Sequence, residues 1–134
     1  MPCLFCSIIS GEIPCHRIYE DEHTFAFLDI GPVSEGHTLI VPKAHAADLA
    51  SGSLEAAQQL MTTAYRIAPA IVKAVGADGY NLGMNHGEAA GQDVFHTHMH
   101  IMPRKAGVPR TFTKTHPTQE SLAANAEKIR VAIG

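Results

Sequence analysis

Between residues 94 and 103 the chain reads Val94-Phe95-His96-Thr97-His98-Met99-His100-Ile101-Met102-Pro103. No other stretch restricts the fold as tightly, because three histidines recur at every second position. On a helix that spacing scatters them around the cylinder. On a strand it puts His96, His98 and His100 on one face and Thr97, Met99 and Ile101 on the other. The β-branched and aromatic neighbours favour the strand, and Pro103 closes the run. Alternate imidazoles then stand roughly 6.5 Å apart, since a strand rises about 3.3 Å per residue. A row of that pitch suits a phosphate, with one ring nitrogen at phosphorus and its neighbour at the oxygens. It also suits a metal ion. The histidines are internal and interleaved with apolar residues, which argues against an appended affinity tag.

The remaining chain supplies strands and helices to pack around this run. Leu4, Phe5, Ile8 and Ile9 fit one face of a short helix stopped by Gly11. Residues 17–20 and 24–29 read as two strands joined by Asp21-Glu22-His23, and residues 37–42 as a third. Ser53 is an N-cap for a long helix in which Leu54, Ala57, Met61, Ala64, Ala68, Ile71 and Val75 keep helical spacing up to Gly76, with a kink expected at Pro69. Residues 80–85 read as a fourth strand, and 86–91 as a glycine-rich hairpin loop into the histidine strand. Residues 104–117 have little periodicity. Thr118 then caps a short amphipathic helix marked by Leu122, Ala126, Ile129 and Ile133. Strands joined by short turns, with helices added, predict an α+β fold with an antiparallel sheet.

At 134 residues the chain makes one domain, residues 1–134, and its 46% hydrophobic content suits a folded core. No apolar run approaches the ~18 residues that span a membrane, and the start carries no secretion signal, so the expected compartment is the cytoplasm. A net charge of −3 is the wrong sign for a general nucleic-acid binder. The charge is uneven: residues 1–103 hold 4 basic and 11 acidic side chains, whereas residues 104–134 hold 6 basic and 2 acidic. The basic end either faces an anionic substrate or forms a solvated tail. Three cysteines, two of them as Cys3-x-x-Cys6, do not make a disulfide framework; as zinc ligands the pair needs two further donors.

Gly91-Gln92 before the histidines and Ile101-Met102-Pro103-Arg104 after them resemble the histidine triad (HIT) nucleotide hydrolases and transferases. Their His-x-His-x-His motif, followed by apolar residues, is matched in full from His96 to Met102. The likeness covers residues 3 to about 104, leaving 105–134 as a basic C-terminal extension. It implies a sheet of about five antiparallel strands with one long helix and a short C-terminal helix, and a homodimer joined through the long helix and the triad-side sheet. It assigns His98 as the nucleophile that attacks phosphorus, forming a nucleotidyl-histidine intermediate that water splits. His100 becomes a donor to the phosphate oxygens, with His96 and His37 completing the catalytic set.

The same resemblance implies a purine nucleotide substrate. Asp29 accepts the ribose hydroxyls, while Phe5, Ile8, Phe27, Leu28, Ile30 and Val94 wall the base and sugar. Asn85 donates to phosphate, and Gly91-Gln92 offer backbone N–H groups. Asp93 departs from the pattern, because many relatives carry a hydroxyl there and an ionised carboxylate cannot donate. Asp29 with Asn85 resembles the phosphoramidase-like branch, which acts at the α-phosphate of nucleoside phosphoramidates or related esters. The alternatives are a dinucleoside polyphosphate hydrolase and a catalytically weak nucleotide- or zinc-binding adaptor. By resemblance to zinc-bearing relatives, His45 and His96 join Cys3 and Cys6 as ligands of a structural zinc, the one cofactor expected.

Overall fold

A computed structural model describes residues 3–134. Five strands form a single antiparallel sheet in the order β1-β2-β3-β5-β4: β1 Arg17–Glu20, β2 Thr24–Leu28, β3 Thr38–Pro42, β4 Gly79–Gly83 and β5 Met99–Arg104. Three helices accompany it: α1 Leu4–Ile9, α2 Leu54–Val75 and α3 Gln119–Ile133. The expected α+β architecture is therefore present, with a 3-10 turn at Glu88–Ala90 that carries no sequence periodicity.

Side chains of period two split between the two faces of the sheet. Ala26, Leu28, Ile40, Met99 and Ile101 pack on one face against Leu60, Ile67, Ala68 and Ile71 of α2 and Leu122, Ala126 and Ile129 of α3. Phe25, Phe27, Leu39 and Val41 pack on the other against Phe5 and Ile8 of α1. Every residue of β2 and β3 is consequently buried. A hydrogen bond of 2.7 Å between the hydroxyls of Thr24 and Thr63 ties the sheet to α2 inside the core. Residues 105–134, read from sequence as an extension, contribute α3 to this larger cluster.

One sequence expectation for α2 needs correction. Leu54 and Met61 are exposed, to 75% and 51%, while the buried stripe runs through Leu60, Thr63, Ala64 and Ile67. Apolar residues occupy two faces of this helix, and the predicted stripe mixed them in its first half. As expected, α2 continues through Pro69 as one helix. Pro69 lies on the exposed side, where the carbonyl of Tyr65, deprived of its N–H partner, is free to be solvated. Ser53 Oγ accepts from the N–H of Ala56 and Gly76 closes the helix at φ 68°, as expected of these caps. Among the described residues no helix is long and apolar enough to cross a membrane.

The histidine run is only partly a strand. The β3–β5 ladder pairs Thr38 with Ile101, Leu39 with His100 and Ile40 with Met99, then stops. The same register would bring Thr97 opposite Pro42, which has no N–H. The Pro42 carbonyl instead accepts from His96 Nε2 at 2.8 Å, and the Thr97 N–H turns to the carbonyl of Ala46. His100 alone of the three lies on β5, and His96 sits in a bend.

Candidate functional site

On the α1 face the sheet leaves a cleft of about 710 Å³, floored by β3, β4 and β5. Alternation along β3 and β5 sends Leu39, His100 and Met102 into it and Ile40 and Ile101 into the core, and His37, directly before β3, also enters it. Of the residues expected at the site, Phe5, Ile8, Phe27, Leu28, Asp29, Ile30, Asn85, Gly91, Asp93, Val94, His37, His98 and His100 line this cleft together. Gln92 and His96 do not. The Gln92 amide is turned inward, accepting from Gly87 N–H and donating to the carbonyls of Ala47 and Val94. The N–H groups of Gly91 and Gln92 are bound to the carbonyls of Glu88 and Gly87, so neither reaches a phosphate, against the sequence expectation. Gly91 serves differently. It holds φ at 96°, and the amide of Asn85 rests 3.5 Å from where its Cβ would stand.

Hydrogen-bond partners assign the ring protons. His98 Nδ1 faces the carbonyl of His96 at 2.8 Å, and a carbonyl only accepts. The proton therefore sits on Nδ1 and leaves Nε2 bare. His37 Nδ1 accepts from the Val33 N–H at 3.1 Å, so its proton is on Nε2 and is donated to His100 Nδ1 at 2.9 Å. That puts the His100 proton on Nε2. His98 and His100 stand with ring centroids 5.1 Å apart, and Phe5 meets His98 edge-on at 5.1 Å. The site thus sets an unprotonated imidazole nitrogen beside a neighbouring imidazole N–H, an arrangement able to offer a nucleophile next to a donor for an anion.

Burial favours the neutral form of His37 and His100. It pushes His100 down to about 4, aided by the like charges of His37 and His98 and opposed by Asp29 and Asp93. Burial also lowers His37, with Asp29 pulling the other way. Between about pH 6.5 and pH 4 the unfolded His100 binds a proton that the folded ring does not, so stability rises with pH there. Acidification through that window is expected to cost about 3 kcal/mol from His100. Urea unfolding at a series of pH values checks this: the decline should flatten by that amount in His100→Gln, and an unchanged slope would refute it.

Asp29 Oδ1 accepts from the Gly31 N–H at 2.9 Å, and its Oδ2 lies 3.7 Å from His37 Nε2. Residues that the sequence reading missed also line the cleft. Leu39 and Met102 were findable, since they share parity with His37 and His100 on their strands. Phe112 and Lys114 come from the aperiodic segment after β5 and gave no signal.

Behind the cleft, His96 is fully buried. Its Nε2 proton goes to Pro42, which leaves Nδ1 bare and facing Cys3 Sγ at 3.4 Å, Cys6 Sγ at 3.6 Å and His45 Nδ1 at 3.1 Å; Cys6 Sγ to His45 Nδ1 is 3.5 Å. The three sulfur–nitrogen separations fall among the edges of a tetrahedron with Zn–N and Zn–S bonds of ordinary length, roughly 3.3–3.8 Å, and the nitrogen–nitrogen one at 3.1 Å is slightly shorter. Two sulfurs and two imidazole nitrogens converge on one point, a donor set that fits a closed structural zinc site.

The HIT domain family pattern matches residues 10–107. The chain is 48% identical over 103 residues to adenylylsulfatase HINT3 of Arabidopsis thaliana, spanning 77% of this chain and 52% of that protein. It is 42% identical over 103 residues to adenosine 5′-monophosphoramidase HNT1 of Saccharomyces cerevisiae, spanning 77% of this chain and 63% of that one. Among solved structures, a Zn-bound histidine triad family protein from Mycobacterium smegmatis superimposes with a TM-score of 0.91 at 40% identity, covering 99% of this chain and 94% of that one.

Proposed function

The chain belongs to the HIT domain family, and from that premise we propose that it is a nucleotidyl hydrolase of the phosphoramidase-like branch. It splits AMP conjugates at the α-phosphate through a nucleotidyl-His98 intermediate. One observation carries the reading: the bond from His98 Nδ1–H to the His96 carbonyl, which leaves Nε2 bare in a cleft of nucleotide size beside the His100 donor. The named activities of the plant and yeast relatives, both on adenylates, support nucleotide hydrolysis.

His98 Nε2 attacks phosphorus in line with the departing group. The P–N bond forms as the bond to the leaving amine or acid breaks, and water then splits the adenylyl-imidazole to release AMP. His100 Nε2–H, oriented through His37, donates to the non-bridging oxygens, where fixed donors stabilise developing charge. The Asn85 amide lines the same cleft as a second donor. Asp29 accepts from the ribose hydroxyls, and Phe5, Ile8, Phe27, Leu28, Ile30 and Val94 enclose the base and sugar. A zinc ion on Cys3, Cys6, His45 and His96 is structural in this reading. His96 is then a ligand and supplies the carbonyl that fixes the His98 tautomer, rather than moving a proton. Thiolate ligands need a reducing compartment, in keeping with the cytoplasm.

The protein acts as a homodimer in this reading. Its candidate surfaces for a second copy are the exposed face of α2, with Leu54 at 75% and Tyr65 at 83% exposure, and edge strand β4, with Tyr80 exposed. A monomer in sedimentation at micromolar concentration would contradict it. The function itself is tested by offering an AMP-lysine amide and diadenosine tetraphosphate in parallel. Release of AMP from the amide is expected to be at least about 100-fold faster in kcat/KM, a difference of ~3 kcal/mol in transition-state binding. The opposite order would assign the dinucleoside polyphosphate branch, and turnover of neither would leave only a binding role.

A further inference from the structure

We propose that Lys114 forms an anion-binding subsite at the mouth of the cleft and selects AMP conjugates whose leaving group carries its own negative charge. The proposal rests on the function inferred above and names the substrate class within it.

The segment that carries Lys114 is fastened on both banks of the cleft. On one side Arg104 of β5 donates through Nη1 to the carbonyl of Thr111 at 2.8 Å, packs its guanidinium 5.2 Å from the centre of the Phe112 ring, and donates through Nε to Asn81 of β4. On the other, Thr115 donates through both its N–H and its hydroxyl to the carbonyl of Pro32, at 2.9 and 2.7 Å. Residues 112–114 are stretched between these anchors, and Phe112 and Lys114 line the cleft. The Lys114 stem lies over Gly31, with Cδ 3.5 Å from where a Cβ would stand, close to Asp29. Its ammonium reaches to 3.9 Å from Asp93 Oδ2. Lys114 therefore reaches from beside Gly31 and Asp29 towards Asp93, along the lining of the cleft that His98 and His100 share.

Charge gives that reach a purpose. Lys114 is the only lysine or arginine among the described residues that line the cleft, against the two carboxylates Asp29 and Asp93. A bound phosphate adds a negative charge, and an anionic leaving group adds another. Asp93 faces that group unable to donate when ionised, whereas an ammonium on a flexible stem offers three donors. The Asp93–Lys114 contact is too long for a good hydrogen bond, and both side chains are about two-thirds exposed. Such a solvated pair is readily exchanged for a better anion. A neutral leaving group gains nothing from Lys114.

The test measures binding by calorimetry in a His98→Ala background, which keeps conjugates intact, with adenosine 5′-phosphosulfate and the neutral propylamide of AMP as probes. Lys114→Met is expected to weaken the sulfate conjugate roughly 10- to 100-fold, the worth of one charge-assisted hydrogen bond, and the amide less than about 3-fold. Lys114→Arg keeps the selectivity. Asp93→Asn tightens the sulfate conjugate, but only while Lys114 is present. Equal losses on both probes, no loss on either, or no binding of either would overturn the proposal. Wild-type protein that binds with this selectivity yet hydrolyses neither conjugate would count against the catalytic reading alone. Wild-type turnover without selectivity would count against Lys114 alone.

Discussion

His98→Ala is expected to lower kcat for AMP conjugates at least about 10⁴-fold and to abolish protein-bound label when the enzyme is mixed with an AMP conjugate labelled in the α-phosphate and quenched in alkali. Losses of that size accompany removal of a nucleophile that acts as part of a unit. The label survives an alkaline quench because an imidazole phosphoramidate is far more labile in acid than in base. In wild type a single band should carry AMP, and His23→Ala, an exposed histidine outside the cleft, should retain it. The variant should remain folded. Its direct loss is one hydrogen bond to the His96 carbonyl and the ring contact with Phe5, about 1–3 kcal/mol, against a typical stability of about 5–15 kcal/mol.

His100 separates the nucleophile from its neighbour. Its bare Nδ1 accepts from His37, so only its N–H faces the cleft and it cannot attack through that nitrogen. Removing one such donor typically costs about 10²–10³ in kcat, less than removing the attacking atom. Undiminished turnover in His98→Ala, or label retained there, would move the nucleophile elsewhere and dismantle the mechanism.

Much of this site is visible in the sequence, and the parts that are not have physical reasons. Period-two alternation assigns His100 and its opposite-facing neighbours Met99 and Ile101 correctly, because β5 is regular there. The same alternation fails one turn earlier. Pro42 contributes no N–H, the ladder ends, and His96 is drawn to a backbone carbonyl and away from the cleft. A pattern rule has no access to the partner strand, so it extends the strand by three residues. Helix α2 fails differently: with apolar residues on two faces, spacing alone does not say which faces the sheet and which is left open. Lys114 lies beyond any periodic signal. Its position depends on Arg104 and Pro32, which hold the segment from opposite sides through backbone carbonyls.

The second large effect is expected at the metal group. Purified protein should contain close to one zinc per chain, and Cys6→Ser should lose it together with about 3–5 kcal/mol of stability, lowering Tm by roughly 10–15 °C. The reason lies in where the four ligands come from. Cys3 caps α1 and Cys6 lies within it, His45 follows β3, and His96 precedes β5. One ion there would therefore join a six-residue helix, too short to persist alone, to β3, which His37 directly precedes, and to β5, which carries His100. Phe5 and Ile8 on that helix wall the cleft, and Phe5 touches both His96 and His98. Releasing α1 should accordingly raise KM for AMP conjugates about tenfold while kcat falls less, because the bond that sets the His98 tautomer is made by backbone and survives. Metal analysis, thermal melts with and without chelator, and steady-state kinetics of Cys6→Ser read these quantities separately. Metal-free wild type that neither takes up added zinc nor melts higher in its presence would rule out a structural zinc at this site. The four converging side chains would then be an interior polar cluster and nothing more.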